Sequence, residues 1–246
     1  MKSFLKYFCF IFFLFLFRPA LAQTRNVKFT FVIGTNGISL GKINAIVRDK
    51  YGYLWLSDQS NRCIICYDGS HMTRYQNDPQ TPNSLGGYYP ECLFADKEGN
   101  IWIGFYGMGL DKFDPITKKF THYQHNDKDP GSLSNDYVAA LLVDHLGNVW
   151  VGDYGGVDLL NQKTGKFTHY RHKETDPTSL SCDSVRVLYE DKAGEIWVGT
   201  GFVYDPLNNN GGLNLLHRNT QTFTRYMHDP HNPHSLLANT VRAIFE

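Results

Sequence analysis

Four sets of residues have the types and spacing to do chemistry. His228, His231 and His234 stand three apart in His-Asp-Pro-His-Asn-Pro-His, and imidazole is the commonest metal ligand. Cys63 and Cys66 form a Cys-x-x-Cys pair, a spacing used by zinc sites and dithiol redox centres. Asp49, Asp96, Asp144 and Asp191 recur at near-equal intervals, and carboxylates held in a cleft serve general acid–base catalysis. Trp55, Trp102, Trp150 and Trp197 recur in step with them and could offer stacking faces to sugar rings.

Each set also has a structural reading, and that reading is the stronger one. The histidines sit in a loop whose counterparts elsewhere are Asp129-Pro-Gly-Ser and Asp176-Pro-Thr-Ser. Pro230 and Pro233 spread them along an extended segment, so a polar loop is expected rather than a metal site. Cys63 and Cys66 belong to Cys-Ile-Ile-Cys-Tyr, which reads as one strand. Residues three apart on a strand point to opposite faces, so packed thiols are expected. The aspartates hold the same place in successive turns, which argues for turn structure. No His-Glu-x-x-His, Gly-x-Ser-x-Gly or Cys/His pairing of catalytic spacing occurs. The expectation is no catalytic residue, no metal and no cofactor.

The elements that must position these residues are repeats. The four tryptophans are spaced by 47, 48 and 47 residues. A glycine precedes each by three: Gly52, Gly99, Gly147 and Gly194. An aspartate precedes each glycine by three, so Asp-x-x-Gly-x-[Leu/Ile/Val]-Trp occurs four times in register. Later in each unit come a tyrosine (Tyr75, Tyr123, Tyr170, Tyr226), an Asp-Pro pair and a Ser-Leu that opens the next unit. In the third unit Val138–Val143 reads as a buried first strand and Asp144-His-Leu-Gly147 as a tight reversal. Glycine there supplies a positive φ, and the aspartate can bond the turn's own amides. Second, third and fourth strands follow at Asn148–Gly152, Gly155–Leu160 and Lys166–Tyr170. The fourth alternates polar and aromatic residues, as an outer edge would.

Four short antiparallel strands in about 47 residues make a β-propeller blade. The predicted fold is therefore all-β, an incomplete propeller with units at 39–83, 84–131, 132–178 and 179–234 and a partial unit at 235–246. Asp49, Gly52, Trp55, Asp96, Gly99, Trp102, Asp144, Gly147, Trp150, Asp191, Gly194 and Trp197 are its structural landmarks. Burying one indole between blades removes about 150–250 Å² from water, at most about 4–6 kcal/mol. Two departures stand out. Pro90 replaces the apolar residue that opens the first strand elsewhere, which a strand tolerates at its first position. The fourth unit carries about nine extra residues between Gly201 and Gly212, an insertion in a connecting loop of the kind that often carries binding.

The ends read differently. Lys2 and Lys6 precede an apolar run at Tyr7–Phe17, and Ala20-Leu-Ala22 precedes Gln23. This is the pattern of a secretory signal peptide over 1–22, with 23–246 as the exported propeller. The apolar run is short of the length of a spanning helix; an uncleaved anchor is the lesser alternative. Val27–Phe31 looks like an orphan outer strand. The fifth unit stops at Glu246 inside its first strand, so a truncated piece of a longer protein is expected. Without the leader, 21 basic residues face 24 acidic ones, which excludes the basic footprint of a nucleic-acid binder.

The repeat, as in Val138-Ala-Ala-Leu-Leu-Val-Asp-His-Leu-Gly-Asn-Val-Trp-Val-Gly152 and Val185-Arg-Val-Leu-Tyr-Glu-Asp-Lys-Ala-Gly-Glu-Ile-Trp-Val-Gly-Thr200, resembles the two-component regulator propeller repeat. The resemblance covers essentially everything after the leader. It implies a periplasmic sensor region ahead of a membrane span and a cytoplasmic, often hybrid, histidine kinase. It further implies a carbohydrate ligand, membrane attachment only through sequence downstream of Glu246, and allows a homodimer of the parent. No kinase motif lies in these 246 residues, so kinase activity would belong to that downstream sequence. The rival readings are a secreted propeller enzyme or glycan-binding protein, and a scaffold that binds partner proteins. The ligand and the residues that hold it are not marked by any motif.

Overall fold

The computed structural model describes residues 37–202 and 210–246. The expected leader over 1–22, the strand expected at Val27–Phe31 and residues 203–209 of the insertion lie outside the described residues.

The described residues form sixteen strands and no helix, in four four-stranded antiparallel sheets. The first blade is β1 (Ile43–Arg48), β2 (Leu54–Asp58), β3 (Cys63–Tyr67) and β4 (Met72–Gln76). The second is β5 (Pro90–Ala95), β6 (Ile101–Phe105), β7 (Leu110–Asp114) and β8 (Lys119–Tyr123). The third is β9 (Val138–Val143), β10 (Val149–Asp153), β11 (Gly156–Asn161) and β12 (Lys166–Tyr170). The fourth is β13 (Val185–Glu190), β14 (Ile196–Gly201), β15 (Gly211–His217) and β16 (Thr222–Tyr226). Within each sheet the strands pair in chain order. Successive first strands touch, β1 with β5, β5 with β9 and β9 with β13. They form the inner rim, and the fourth strands lie outside. This is the expected propeller, an unclosed arc of four blades.

Residues 235–246 depart from expectation. They were predicted to enter a fifth first strand, and Val241–Glu246 forms none. A first strand takes its ladder from the second strand of its own blade, and among the described residues no such strand lies beside this segment. Its Val241 amide instead donates to Thr200 O at 3.1 Å.

The core is divided among the blade interfaces. Trp55 and Ile64 of the first blade pack on Ile101, Ile103 and Phe113 of the second. Trp102 and Leu110 pack on Val138, Val149 and Leu160 of the third. Trp150 and Val157 pack on Val185, Ile196 and Leu216 of the fourth. The second strands are covered on both faces, which is why β6 and β10 are buried at every residue. Fourth strand β8 is half-buried or exposed along its length, as its alternation requires.

An aromatic relay joins successive blades. Trp102 stacks on Tyr123 of its own blade at 6.3 Å, and Tyr123 meets Phe167 of the next edge-on at 5.7 Å. Trp150 and Tyr170 lie 5.9 Å apart, and Tyr170 meets Phe223 at 6.1 Å. Trp55, Tyr75 and Phe120 repeat the pattern. In the fourth blade Trp197 is half-buried and Tyr226 is 43% exposed, since no described blade follows to cover them.

In three of the four blades a glycine is demanded by close approach. A Cβ on Gly104 would lie 2.6 Å from Val138 Cγ1, the residue that opens the next blade. Gly152 stands in the same relation to Val185, and Gly199 to Val241. In the first blade this place is taken by Ser57, where the following blade opens with Pro90 instead of valine.

Candidate functional site

The twelve repeated landmarks form four copies of one hairpin clasp rather than a single site. Asp144 Oδ1 accepts the amides of Leu146 and Asn148 at 3.0 and 2.8 Å, while Oδ2 accepts the Trp150 indole N–H at 2.9 Å. Asp49 and Trp55, Asp96 and Trp102, and Asp191 and Trp197 repeat the carboxylate–indole bond at 2.9, 2.9 and 2.8 Å. Gly52, Gly99, Gly147 and Gly194 take φ of 91°, 97°, 83° and 83° at the reversal, a conformation cheap only for glycine. Burial pushes the Asp144 carboxyl up. The Trp150 indole, the Arg218 guanidinium and Asn148 outweigh that and hold it below its ordinary value. In all four copies the carboxylate holds the indole.

The other sets fall apart as chemical sites. His228 Nδ1 donates to Leu236 O at 2.7 Å, turned into its own loop. His125 and His172 make the same bond to Leu133 O and Leu180 O, and Asn77 makes it to Leu85 O in the first blade. His228 is therefore a repeated loop residue, while His231 and His234 are exposed. Cys63 lies on the outer face of the first blade with Leu56 and Met72, and Cys66 on the opposite face with Trp55. Burial pushes both thiols up to about 11, away from the thiolate that metal binding or exchange needs.

A second repeated arrangement carries no sequence motif. Asp111 in β7 bonds His122 in β8 at 2.6 Å and accepts the Gly86 amide at 2.7 Å. Asp158 in β11 bonds His169 in β12 at 2.6 Å and accepts the Ser134 amide at 2.7 Å. Asn214 accepts the Ser181 amide at 2.9 Å in the fourth blade. In these three blades the third strand thus latches the Ser-Leu loop that enters its blade. The bond to Asp111 raises the His122 pKa, and the bond to Asp158 raises that of His169. Asp153, beside Asp158, is raised by burial first and then by its neighbour's charge.

What converges on one place is the inner rim. Every first strand carries a β-bulge at its second residue, between Ile43 and Ala45, Pro90 and Cys92, Val138 and Ala140, and Val185 and Val187. A bulged residue leaves the ladder and its side chain is re-aimed. The bulged residues are Asn44, Glu91, Ala139 and Arg186, and Arg242 holds the equivalent place after Val241. Glu91, Ala139, Arg186 and Arg242 line one cavity of about 560 Å³, and Asn44 Nδ2 donates to Glu91 at 2.8 Å.

Aromatic rings from the blade-to-blade and second-to-third-strand loops complete the cavity. Tyr137 stacks on Tyr154 at 5.6 Å and 14°, and meets Tyr106 edge-on at 4.8 Å. Tyr106 is 53% exposed, Tyr137 40% and Phe202 39%, large rings presented to solvent on the face that bears the insertion. Arg186 lies 4.9 Å from the Tyr154 ring centre and donates to Tyr154 Oη and Gly201 O, both at 3.0 Å. Lys42 and Gln59 of the first blade close the cavity's edge. The arrangement offers flat faces, guanidinium donors and one carboxylate. Sequence reasoning passed over these residues. A polar residue directly after the strand-opening position, in four of five units, was the signal available.

Three stretches of the chain, 84–107, 132–155 and 179–202, match the family described as two component regulator propeller. Each runs from the entry loop of a blade to the end of its second strand, so each contains one bulge. No curated protein sequence matches the chain. Among solved structures, the chain is similar to the extracellular domain of a protein described as a hybrid two component system from Bacteroides thetaiotaomicron. The identity is 23% and the TM-score 0.56, over 89% of this chain and 39% of that one. A second such domain from the same organism matches with 18% identity and a TM-score of 0.51, over 85% and 36%. Virginiamycin B lyase from Staphylococcus aureus matches with 13% identity and a TM-score of 0.55, over 77% and 56%. The chain thus spans about two fifths of the length of the two extracellular domains it resembles, and the likeness to all three is one of fold.

Proposed function

We propose that this chain, built of two component regulator propeller repeats, is part of the exported ligand-sensing region of a hybrid two component sensor, and that it responds to a carbohydrate. The observation that carries this reading is the convergence of rim residues and tyrosines from successive blades on one cavity. Its volume of about 560 Å³ lies within the range of small-ligand sites, about 300–1,000 Å³. Exposed tyrosine faces pack against the apolar faces of sugar rings, and the arginine and carboxylate groups supply hydrogen bonds to hydroxyls. A ligand bridging several blades binds one arrangement of the rim better than another, and that difference in affinity is what signalling requires.

Binding is tested by probing the purified chain on an array of glycans and then replacing Tyr137 by Ala. The expected result is saccharide binding that falls about tenfold or more in the variant while the melting temperature holds. Absence of binding to every glycan would overturn the carbohydrate reading. The link to a kinase is tested by the open reading frame downstream of Glu246. A spanning helix followed by kinase motifs is expected; a stop codon after further blades would favour a secreted enzyme or glycan-binding protein instead.

A further inference from the structure

The five rim positions are equivalent in register but not in charge. On one side Asn44 and Glu91 bond each other, and Gln59 Nε2 also reaches Glu91 at 3.5 Å. Both bonds fall on Glu91 Oε2. On the other side stand Arg186 and Arg242, with Ala139 between the two halves. Neither guanidinium has a carboxylate within ion-pair distance among the described residues. Arg186 uses Nε and one Nη on Gly201 O and Tyr154 Oη. Those two bonds fix its plane and leave its remaining N–H groups without an acceptor among the described residues. Arg242 is exposed and makes no hydrogen bond among the described residues. Both line the cavity that the tyrosines line.

An oriented guanidinium with open donors is suited to an oxyanion, which it binds with two parallel hydrogen bonds. A neutral sugar gives no reason to place two arginines on adjacent spokes, neither with a carboxylate partner among the described residues. We infer that the ligand is an acidic saccharide, whose carboxylate or sulfate group seats between Arg186 and Arg242 while a sugar ring lies on Tyr137. This rests on the carbohydrate reading above and narrows it to one chemical class.

The test compares neutral, uronate-bearing and sulfated glycans on one array, with calorimetry on the best binder of each group. Wild type is expected to bind acidic glycans at least about tenfold more tightly than neutral ones, one charge-assisted contact being of that size. Arg186→Gln and Arg242→Gln should each abolish that preference. Arg186→Lys keeps the charge without the fork and should retain part of it. Melting temperatures of the variants report that the fold persists. Uronate against sulfate binding identifies which anion is read. If neutral glycans bind as tightly as acidic ones, or the Gln variants keep the wild-type preference, the inference is overturned while the carbohydrate reading stands. If no glycan binds, both fall together.

Discussion

The indole Nε1 of Trp150 donates to Asp144 Oδ2 at 2.9 Å. Arg218 of the fourth blade reaches the same oxygen at 2.7 Å. One carboxylate thus closes its own hairpin, orients the ring that fills the blade interface and ties in the next blade. Asp144→Ala would leave a buried indole N–H unpartnered and strip one of the contacts of Arg218, which keeps Glu190 and Gly194 O, a loss of about 3 kcal/mol. Thermal unfolding should show a large drop in melting temperature. Asp191→Ala, in a clasp that no described blade covers, should show a smaller one.

The glycine at the end of each Trp-x-Gly predicts a compensating pair. Gly152→Ala drives a methyl into Val185, and overpacking of this kind costs about 1–3 kcal/mol. Val185→Ala opens a cavity at the same spot. The double variant should be more stable than the sum of the single losses implies, as a double-mutant cycle by chemical denaturation would show. Strict additivity would mean that the blades do not meet there.

The two Asp–His latches predict a pH dependence. The folded-state pKa values of His122 and His169 are raised by their carboxylate bonds. A raised group contributes stability that is complete below its unfolded value, about 6.5, and is lost as the pH climbs through the folded value. Melting temperature should therefore fall as pH rises from about 6.5. Replacing both histidines by Gln should flatten that decline.

Asp153 acts in the same direction. Its carboxyl is raised by burial and by Asp158, so the proton is favoured in the folded state and the stability it brings is lost with rising pH. Asp153→Asn mimics the protonated form, and should leave stability unchanged in acid and increase it in alkali. Melting curves across that range decide it; a variant destabilised equally at every pH would show that the charged form is the one the fold needs.

The loop histidine predicts a tolerated substitution. Asn77 makes in the first blade the carbonyl bond that His172 makes in the third. His172→Asn should cost little, whereas His172→Ala should cost about 1 kcal/mol, read from denaturation midpoints.

The blades were legible because each landmark is local or strictly periodic. Glycine at a reversal and tryptophan on a second strand announce themselves within seven residues, and repetition at 47-residue spacing lends each copy the weight of the others. What escaped depends on pairs that composition does not mark. The Asp144–Trp150 bond looked like turn chemistry alone, because the aspartate's second oxygen is free in any local reading. His122 finds Asp111 only through the β7–β8 register. The fifth first strand was read from Val241 and its neighbours, whose pattern is right, but a strand exists only with a partner. The rim site was hidden by the bulge itself. One residue of register shift turns a side chain from the interface to the axis, and nothing in the types of Asn44, Glu91 or Arg186 says where that shift occurs.

Because the irregularity recurs at the same spot on every spoke, the residue there is released from both ladder and core. It can be exchanged for almost any other without disturbing the indole interlocks that hold neighbouring sheets. Chemical selectivity and mechanical integrity are therefore written in separate letters of each repeat. A lineage of such wheels can diversify what it recognises by single substitutions at the hub, while its framework stays unchanged.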